Sequence, residues 1–253
     1  MYSDATLKLN IVLFPLVAIT AVLVRLVCKN VGAKFKLVPF AVATAVLLLA
    51  ELGKQVYELA HGTYNLFSLP FHICTIVIVG FGIVSFKNPS KPFVKVFWNL
   101  TLSAGLLVTV ALLLAPNPII GGASFKMLNG TANYVECYSV FAHYALVLLF
   151  FMGLSLNVYT PTLKDLYKSS LIWICSLVVI LVAANVLQQN YANFLEFKLP
   201  FLKVEVLGLP LFQTILFVAY VAVYLLGALG LYNLNKFKSK LLEIKTVDYQ
   251  VWS

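Results

Sequence analysis

The chain has 253 residues, of which 62% are hydrophobic and only 11% are charged. A soluble globular domain carries about a quarter charged residues, so this composition excludes an ordinary soluble domain and indicates a chain that lies in a bilayer. The net charge of +9 does not indicate a nucleic-acid partner, because the basic residues lie in short segments between apolar runs, where they act as orientation signals.

Seven apolar runs of about 20 residues follow one another along the chain, and each is long enough to cross a bilayer as a helix. We therefore predict an all-α, polytopic transmembrane bundle of about seven spans that forms a single integral membrane domain over residues 1–253. The breaks between runs are marked by Lys87–Pro92, by Pro116–Pro118 with Gly121–Gly122, and by Thr160–Pro161. The spans are expected near 8–27, 37–60, 66–86, 93–115, 133–158, 166–188 and 206–234, before a basic tail at 235–253.

The Lys and Arg residues are distributed unevenly between alternate loops. One set of loops, with the tail, holds 13 of them and the other set holds 4. Because loops rich in Lys and Arg stay in the cytoplasm, the pattern predicts that the N-terminus is outside and the C-terminus is in the cytoplasm.

The second span contains charged residues that are costly at bilayer depth and so need a reason to be there. Glu51, Lys54, Glu58 and His61 fall within an arc of about 80° on a helix. Two interpretations stay open. The stripe forms an ion-pair ladder, Glu51 with Lys54 and Lys54 with Glu58, that only joins helices, or it lines a functional site.

The third span contains a potential nucleophile. Ser68, His72 and Thr75 share one face of a regular helix, whereas Cys74 lies about 200° from His72. Cys74 would therefore need a base from another helix if it reacts. A packing role for the Cys74 thiol and a purely hydrogen-bonded role for His72 remain the alternatives.

The remaining unusual polar residues lie in the fourth, fifth and sixth spans. Trp98 precedes small and hydroxyl-bearing residues typical of helix packing, and Glu136 and His143 are seven residues apart on one face of the fifth span. Asn185 lies near the end of the sixth span. With the predicted orientation, these groups gather in the outer half of the membrane, which indicates a polar cavity there.

The four cysteines include no CxxC pair, and the chain has no HExxH element. We therefore expect no disulfide framework, no metal site and no cofactor.

Several elements resemble the YwaF-like integral membrane protein family over about residues 45–205. The most specific element is Leu-Pro-x-His-x-Cys at Leu69–Cys74. The residues that carry the resemblance are Glu51, Lys54, Pro70, His72, Cys74, Trp98, Pro116, His143, Asn185, Asn190 and Tyr191.

The resemblance implies acyl chemistry on lipids, since relatives include a multi-span acyltransferase that uses a cysteine and lipid hydrolases that use a threonine with a histidine. His72 and His143 match family histidines. The acyltransferase cysteine directly precedes its histidine, where this chain has Phe71, so Cys74 and Thr75 are the candidate nucleophiles.

Three functions follow as hypotheses. In a lipid acyl hydrolase or acyltransferase, His72 or His143 is the base and Cys74 or Thr75 the nucleophile. Asn185 and Asn190 would donate hydrogen bonds to an oxyanion. Substrate-binding or supporting roles go to Glu51, Lys54, Glu58, His61, Trp98, Asn185, Asn190 and Tyr191.

The alternatives are a transporter or small-molecule binder that uses the same cavity, and a structural scaffold. The expected partners are membrane lipids, with no nucleic acid. A composition rich in Lys, Asn and Phe indicates a multi-pass protein of a bacterial plasma membrane.

Overall fold

The computed structural model describes residues 3–88, 91–156, 159–196 and 204–251, without the side chains of residues 33, 34 and 238–251. Its α-helices are α1 (Asp4–Cys28), α2 (Ala33–Lys36), α3 (Val38–Ala60), α4 (Ile73–Phe86), α5 (Pro92–Leu114), α6 (Asn117–Leu128), α7 (Tyr134–Leu156), α8 (Leu163–Leu187), α9 (Val204–Leu207) and α10 (Leu209–Val251). Two short 3-10 helices lie at Leu66–Ser68 and Tyr191–Asn193.

The prediction of an all-helical bundle with seven membrane spans is confirmed. Within the described residues, seven segments are long and apolar enough to cross a membrane. They are Asp4–Cys28, Val38–Ala60, Leu66–Phe86, Pro92–Leu114, Tyr134–Leu156, Leu163–Leu187 and Leu209–Phe237. Each agrees with a predicted span to within a few residues.

The orientation of the termini stays a prediction. Some of the lysines on which it rests lie outside the side chains that the structure describes. The lysines outside the described side chains are Lys34, Lys198, Lys203, Lys238, Lys240 and Lys245.

Helices α5 and α7 form the centre of the bundle. Helix α5 packs against α4, α7, α8 and α10, and α7 packs against α1, α3, α5 and α6. The fully buried residues of α5 include Asn99, Thr101, Ser103 and Ala104. Small side chains let neighbouring helices approach closely in a membrane, where packing rather than water exclusion holds helices together.

Large apolar side chains cover the outer surface of the bundle. Ile11, Leu49, Val182 and Leu226 are each more than half exposed. Water would make such a surface unfavourable, whereas lipid is a good solvent for it.

Buried hydrogen bonds tie α1 to the centre of the bundle. The side-chain amide of Asn10 donates to the carbonyl oxygen of Leu112 at 2.9 Å, and the Tyr144 hydroxyl donates to Asn10 Oδ1. A second buried bond joins α5 to α8, from Asn99 Nδ2 to Ser169 Oγ at 2.6 Å. Satisfied polar pairs of this kind fix the register of neighbouring spans.

The third span departs from the regular helix that the sequence predicted. It enters as the 3-10 helix Leu66–Ser68, continues in extended backbone, and becomes α-helical only at Ile73. Pro70 accounts for the break, because the residue before a proline is driven out of the α region, and Leu69 has φ −61° and ψ 150°. The prediction that Ser68, His72 and Thr75 share one helical face is therefore wrong.

A second difference lies between the fourth and fifth spans. The Pro- and Gly-containing segment separates these two spans, as the sequence predicts, but part of it forms helix α6, which packs against α1 and α7. Pro116 and Pro118 flank its first residue, where a missing N–H breaks no helical hydrogen bond. Asn117 Oδ1 accepts hydrogen bonds from Ser3 N at 3.0 Å and from Thr6 Oγ1 at 2.8 Å.

The close packing of α4 on α5 yields a stability test. A Cβ added at Gly80 would lie 2.4 Å from Thr101 Cγ2, whereas one added at Gly82 meets Leu48 Cδ1 at 3.7 Å, an ordinary contact. We expect Gly80→Ala to destabilise the detergent-solubilised protein by about 1–3 kcal/mol relative to Gly82→Ala, because a β-branched neighbour cannot rotate away. Equal unfolding midpoints for the two variants would contradict this packing.

Candidate functional site

Cys74 lies in the first turn of α4. His72 is the N-cap residue in an extended conformation, with φ −89° and ψ 145°, so Ile73 and Cys74 are the first two helical residues. The backbone N–H groups of a first helical turn have no intrahelical acceptor and form the positive end of the helix dipole. The first turn of α4 therefore places positively polarised backbone N–H groups close to Cys74.

The imidazole of His143 provides the partner of this thiol from another helix. Cys74 Sγ lies 3.0 Å from His143 Nε2, between α4 and α7. Such a distance between a nucleophile and a base is what proton transfer from a thiol requires.

The other ring nitrogen of His143 determines which way the proton can move. His143 Nδ1 lies 2.6 Å from the carbonyl oxygen of Ser139, one turn earlier on α7. A carbonyl oxygen only accepts, so Nδ1 carries the hydrogen and the lone pair of Nε2 faces the thiol in the neutral imidazole. The three groups therefore form a chain in which Cys74 donates to His143 and His143 donates to Ser139.

His72 and Thr75 take different positions from this pair. His72 Nε2 lies 3.0 Å from the carbonyl oxygen of Phe67, and its ring stands edge-on to the rings of Phe67 and Tyr191, with centroids 4.6 Å and 5.3 Å away. These contacts hold the extended segment before α4. Thr75 lines the same cavity as Cys74, but the described contacts of His143 go to Cys74 and Ser139.

A cavity of about 370 Å³ opens beside the Cys74–His143 pair. Its volume falls in the range of small-molecule sites. One wall is polar or charged, with Glu51, Lys54, Glu58, Ser68, His72, Tyr138, Ser139, Asn190, Asn193 and Tyr220. An apolar wall, mainly from α5 and α6, includes Leu107, Val108, Ala111, Ala115, Pro118 and Ile119.

Of the two ion pairs that the sequence suggested along α3, the structure contains the one between Glu51 and Lys54. Lys54 Nζ lies 3.3 Å from Glu51 Oε1, with both side chains less than a fifth exposed. Gln55 Nε2 joins the pair by donating to Glu51 Oε1 at 2.9 Å and to the carbonyl oxygen of Ser68 at 3.0 Å. The Tyr138 hydroxyl also donates to Glu51, and Lys54 Nζ lies 5.6 Å from the centre of the Tyr138 ring.

Glu58 does not complete the ladder. It is only 8% exposed and lines the cavity, yet its Oε2 has no hydrogen-bond partner in the described part of the chain. The ion pair of Lys54 within that part is with Glu51. The predicted Lys54–Glu58 pair is therefore wrong.

Four predicted supporting residues lie away from the cavity lining: Asn185, His61, Trp98 and Tyr191. His61 is exposed at the end of α3 and stacks on Tyr57, with ring centroids 4.0 Å apart. Trp98 is fully buried against Phe40. Tyr191 is also fully buried, and its hydroxyl donates to the carbonyl oxygen of Leu66.

The two predicted oxyanion donors each use one amide hydrogen in another contact, and their catalytic role stays a prediction. Asn185 Nδ2 donates to the Leu181 carbonyl oxygen at 2.9 Å, while its Oδ1 accepts from Gln213. Asn190 Nδ2 donates to the carbonyl oxygen of Glu196 at 2.9 Å. The amide of Asn185 joins α8 to α10, and that of Asn190 closes the turn after α8.

Glu136 is not part of the cavity, although it was placed on the face of His143. Its carboxylate pairs with Lys126 of α6 and accepts from the backbone N–H of Asn133 at 2.8 Å. Glu136 therefore caps the start of α7 and holds α6 in place.

Sequence reasoning missed Ser139, Asn193 and Tyr220 as residues beside the thiol. Ser139 lies four residues before His143, a spacing that places its carbonyl oxygen near that ring. Nothing in the sequence distinguished Asn193 or Tyr220, because a loop and the seventh span bring them to the cavity. Among the described residues, no group of three His, Cys, Asp or Glu side chains is suited to a metal ion.

Comparison with known proteins identifies the family. The model of the TMEM164 family, a multi-span membrane family, matches residues 1–232. Searches of curated proteins and of solved structures gave no match. The YwaF-like resemblance and the acyl chemistry that it implies are not confirmed by this match and stay predictions. A match over most of the chain, together with seven apolar helices, shows that this protein is an integral membrane protein of the TMEM164 family.

Proposed function

We propose that the protein is a membrane-embedded lipid acyl hydrolase or acyltransferase, with Cys74 as nucleophile and His143 as general base. The observation that carries this function is the 3.0 Å separation of Cys74 Sγ and His143 Nε2 at the start of α4. A buried thiol with only a packing role has no need of an oriented imidazole, whereas a nucleophilic thiol does.

The reaction proceeds in two steps, the formation of a thioester and its cleavage. His143 Nε2 takes the thiol proton while Cys74 Sγ attacks the ester carbonyl carbon of a lipid. The tetrahedral intermediate then expels the alkoxide, which takes the proton from His143, so that the acyl group is held as a thioester. Water or the hydroxyl group of a second lipid attacks this thioester, passing its proton through His143 to the departing thiolate.

The two walls of the cavity suit a lipid better than a small polar molecule. The apolar wall of α5 and α6 fits an acyl chain, and the polar wall of α3 and α7 fits the ester and headgroup region. The site also lies within the membrane-spanning segments, where lipid substrates are present at high concentration. The YwaF-like resemblance independently implies acyl chemistry.

The orientation belongs to the same proposal. With the N-terminus outside, the cavity lies in the outer half of a bacterial plasma membrane, since it is lined by the beginnings of α4 and α7 and the end of α5. A reporter that fluoresces only in the cytoplasm should be active when fused after residue 253, and a phosphatase active only outside should be silent there. The reverse pattern would contradict the orientation.

The catalytic pair yields the main functional prediction. Cys74→Ala and His143→Ala should each abolish the change in membrane acyl chains that expression of the wild-type protein causes, because each removes one partner of the proton transfer. Lipid analysis by mass spectrometry at matched protein levels measures this change. Thr75→Val is the matched control, since Thr75 lines the same cavity without contacting His143.

The outcomes separate the candidate nucleophiles. A shift that survives Cys74→Ala but is lost in Thr75→Val or His143→Ala would move the nucleophile to Thr75 or to water. No shift with the wild-type protein would count against acyl chemistry altogether.

Substitutions of Glu51 and Lys54 test whether this ion pair belongs to a functional site or only joins helices. Glu51→Gln and Lys54→Met should each destabilise the protein by about 3 kcal/mol, because each leaves an uncompensated charge among largely buried groups. The double variant should recover most of that stability, since the two effects share one interaction. If the pair forms part of the polar wall, lipid turnover stays low in the refolded double variant. Recovery of full turnover would show that the pair only joins helices.

A second candidate function, transport of a small cation or proton-coupled uptake, is favoured by Glu58. A buried carboxylate oxygen without a partner, facing a cavity between membrane spans, is a feature of ion pathways. Under this function, Glu58→Gln abolishes uptake into vesicles while Cys74→Ala leaves it unchanged. Acyl chemistry predicts the opposite dependence on Cys74.

A further inference from the structure

Attack of a thiolate on an ester creates a negative charge on the carbonyl oxygen. Hydrogen-bond donors fixed around that oxygen are among the largest contributions to such reactions. Of the two donors expected from the sequence, Asn185 lies away from the cavity lining, and Asn190 lines the cavity but uses one amide hydrogen on the carbonyl oxygen of Glu196. A further side-chain amide in the cavity lining is that of Asn193.

The turn that follows α8 brings one such donor to the cavity. Three of its residues that are not glycine have positive φ angles: Gln188 at 51°, Ala192 at 50° and Asn193 at 62°. This conformation is unfavourable for alanine in particular. It persists only where surrounding contacts fix the backbone.

The turn is fixed by contacts on both sides. The Tyr191 side chain is fully buried against the segment before α4 and donates to the carbonyl oxygen of Leu66. Asn190 Oδ1 accepts from the backbone N–H groups of Leu195 and Glu196 at 2.9 Å and 3.0 Å. The turn therefore holds the side chain of residue 193 in one place.

That side chain belongs to Asn193, which lines the same cavity as Cys74. Its amide hydrogen bonds to the hydroxyl group of Tyr220, which in turn donates to the Ala192 carbonyl oxygen at 2.8 Å. Tyr220 also lines the cavity that contains Cys74. An asparagine amide carries two hydrogens, and the bond to Tyr220 uses one of them.

Resting on the proposed acyl chemistry, we propose that the side-chain amide of Asn193 stabilises the oxyanion that forms when Cys74 attacks a lipid ester. Tyr220 is a positioning residue, because its hydroxyl group holds the Asn193 amide while its own hydrogen is bound to Ala192. The free backbone N–H of Cys74, in the first turn of α4, is the second donor. Oxyanion sites commonly combine donors from side chains with donors from the backbone.

The test compares two reactions of the same thiol in purified protein reconstituted in lipid nanodiscs. Alkylation of Cys74 by iodoacetamide, followed by mass spectrometry across pH, requires the Cys74–His143 pair but no oxyanion. Hydrolysis of p-nitrophenyl hexanoate requires both. Cys74→Ala provides the baseline for each reaction.

Asn193→Gly removes the amide and retains a residue that tolerates the positive φ angle. Ala192→Gly is the matched control, because it relaxes the same turn and leaves the amide in place. We expect Asn193→Gly to lower kcat for the ester about 100-fold with little change in KM. The rate and pH profile of Cys74 alkylation should stay at the wild-type values in both variants, and Ala192→Gly should keep kcat within about threefold.

Two results would overturn the role of Asn193. One is a kcat for Asn193→Gly within about threefold of wild type. The other is a loss of ester hydrolysis matched by an equal loss of alkylation, which would mean that the turn supports the thiol rather than the oxyanion. A wild-type protein whose Cys74 is readily alkylated but turns over no ester would instead reject the proposed acyl chemistry.

Discussion

Pro70 has no backbone N–H and restricts Leu69 to an extended conformation, so the third span becomes a helix only at Ile73. In a bilayer, such a break exposes backbone groups that water cannot satisfy, and it is tolerated only where protein covers it. Here the side chain of Gln55 and the hydroxyl of Tyr191 bind the carbonyl oxygens of Ser68 and Leu66. The break in turn places Cys74 in a first helical turn. The electrostatics of the site, the position of the thiol and the shape of the cavity all depend on where α4 begins.

The fold was largely predictable because bilayer physics leaves few alternatives. Seven apolar runs of spanning length and the alternation of Lys-rich loops predicted the spans to within a few residues. The structure of the segment between the fourth and fifth spans was harder to predict. Pro116 and Pro118 mark the end of the fourth span as predicted, but proline is also favoured at the first positions of a helix, and α6 begins there.

The site was predictable only in its parts. Helical geometry showed that Cys74 requires a base from another helix and not His72. Sequence spacing could not show that His143 reaches the thiol, since that depends on how α4 packs against α7. Asn185 and Asn190 have the residue type of an oxyanion donor, and only the tertiary structure shows that Asn185 lies away from the cavity lining and that each amide makes another hydrogen bond. Asn193 was missed because its position depends on a turn with positive φ angles, and no local sequence pattern predicts that turn.

The partner of His143 Nδ1 is a main-chain oxygen rather than the carboxylate or amide side chain that often orients a catalytic imidazole. Every amino acid at position 139 offers that same oxygen, so the orienting atom survives any substitution that leaves α7 helical. Position 139 could therefore vary in sequence even though its carbonyl oxygen orients His143. The orientation of the imidazole therefore depends on the regular backbone of the helix. The reactivity of the thiol requires one intact turn of α7 rather than a third side chain.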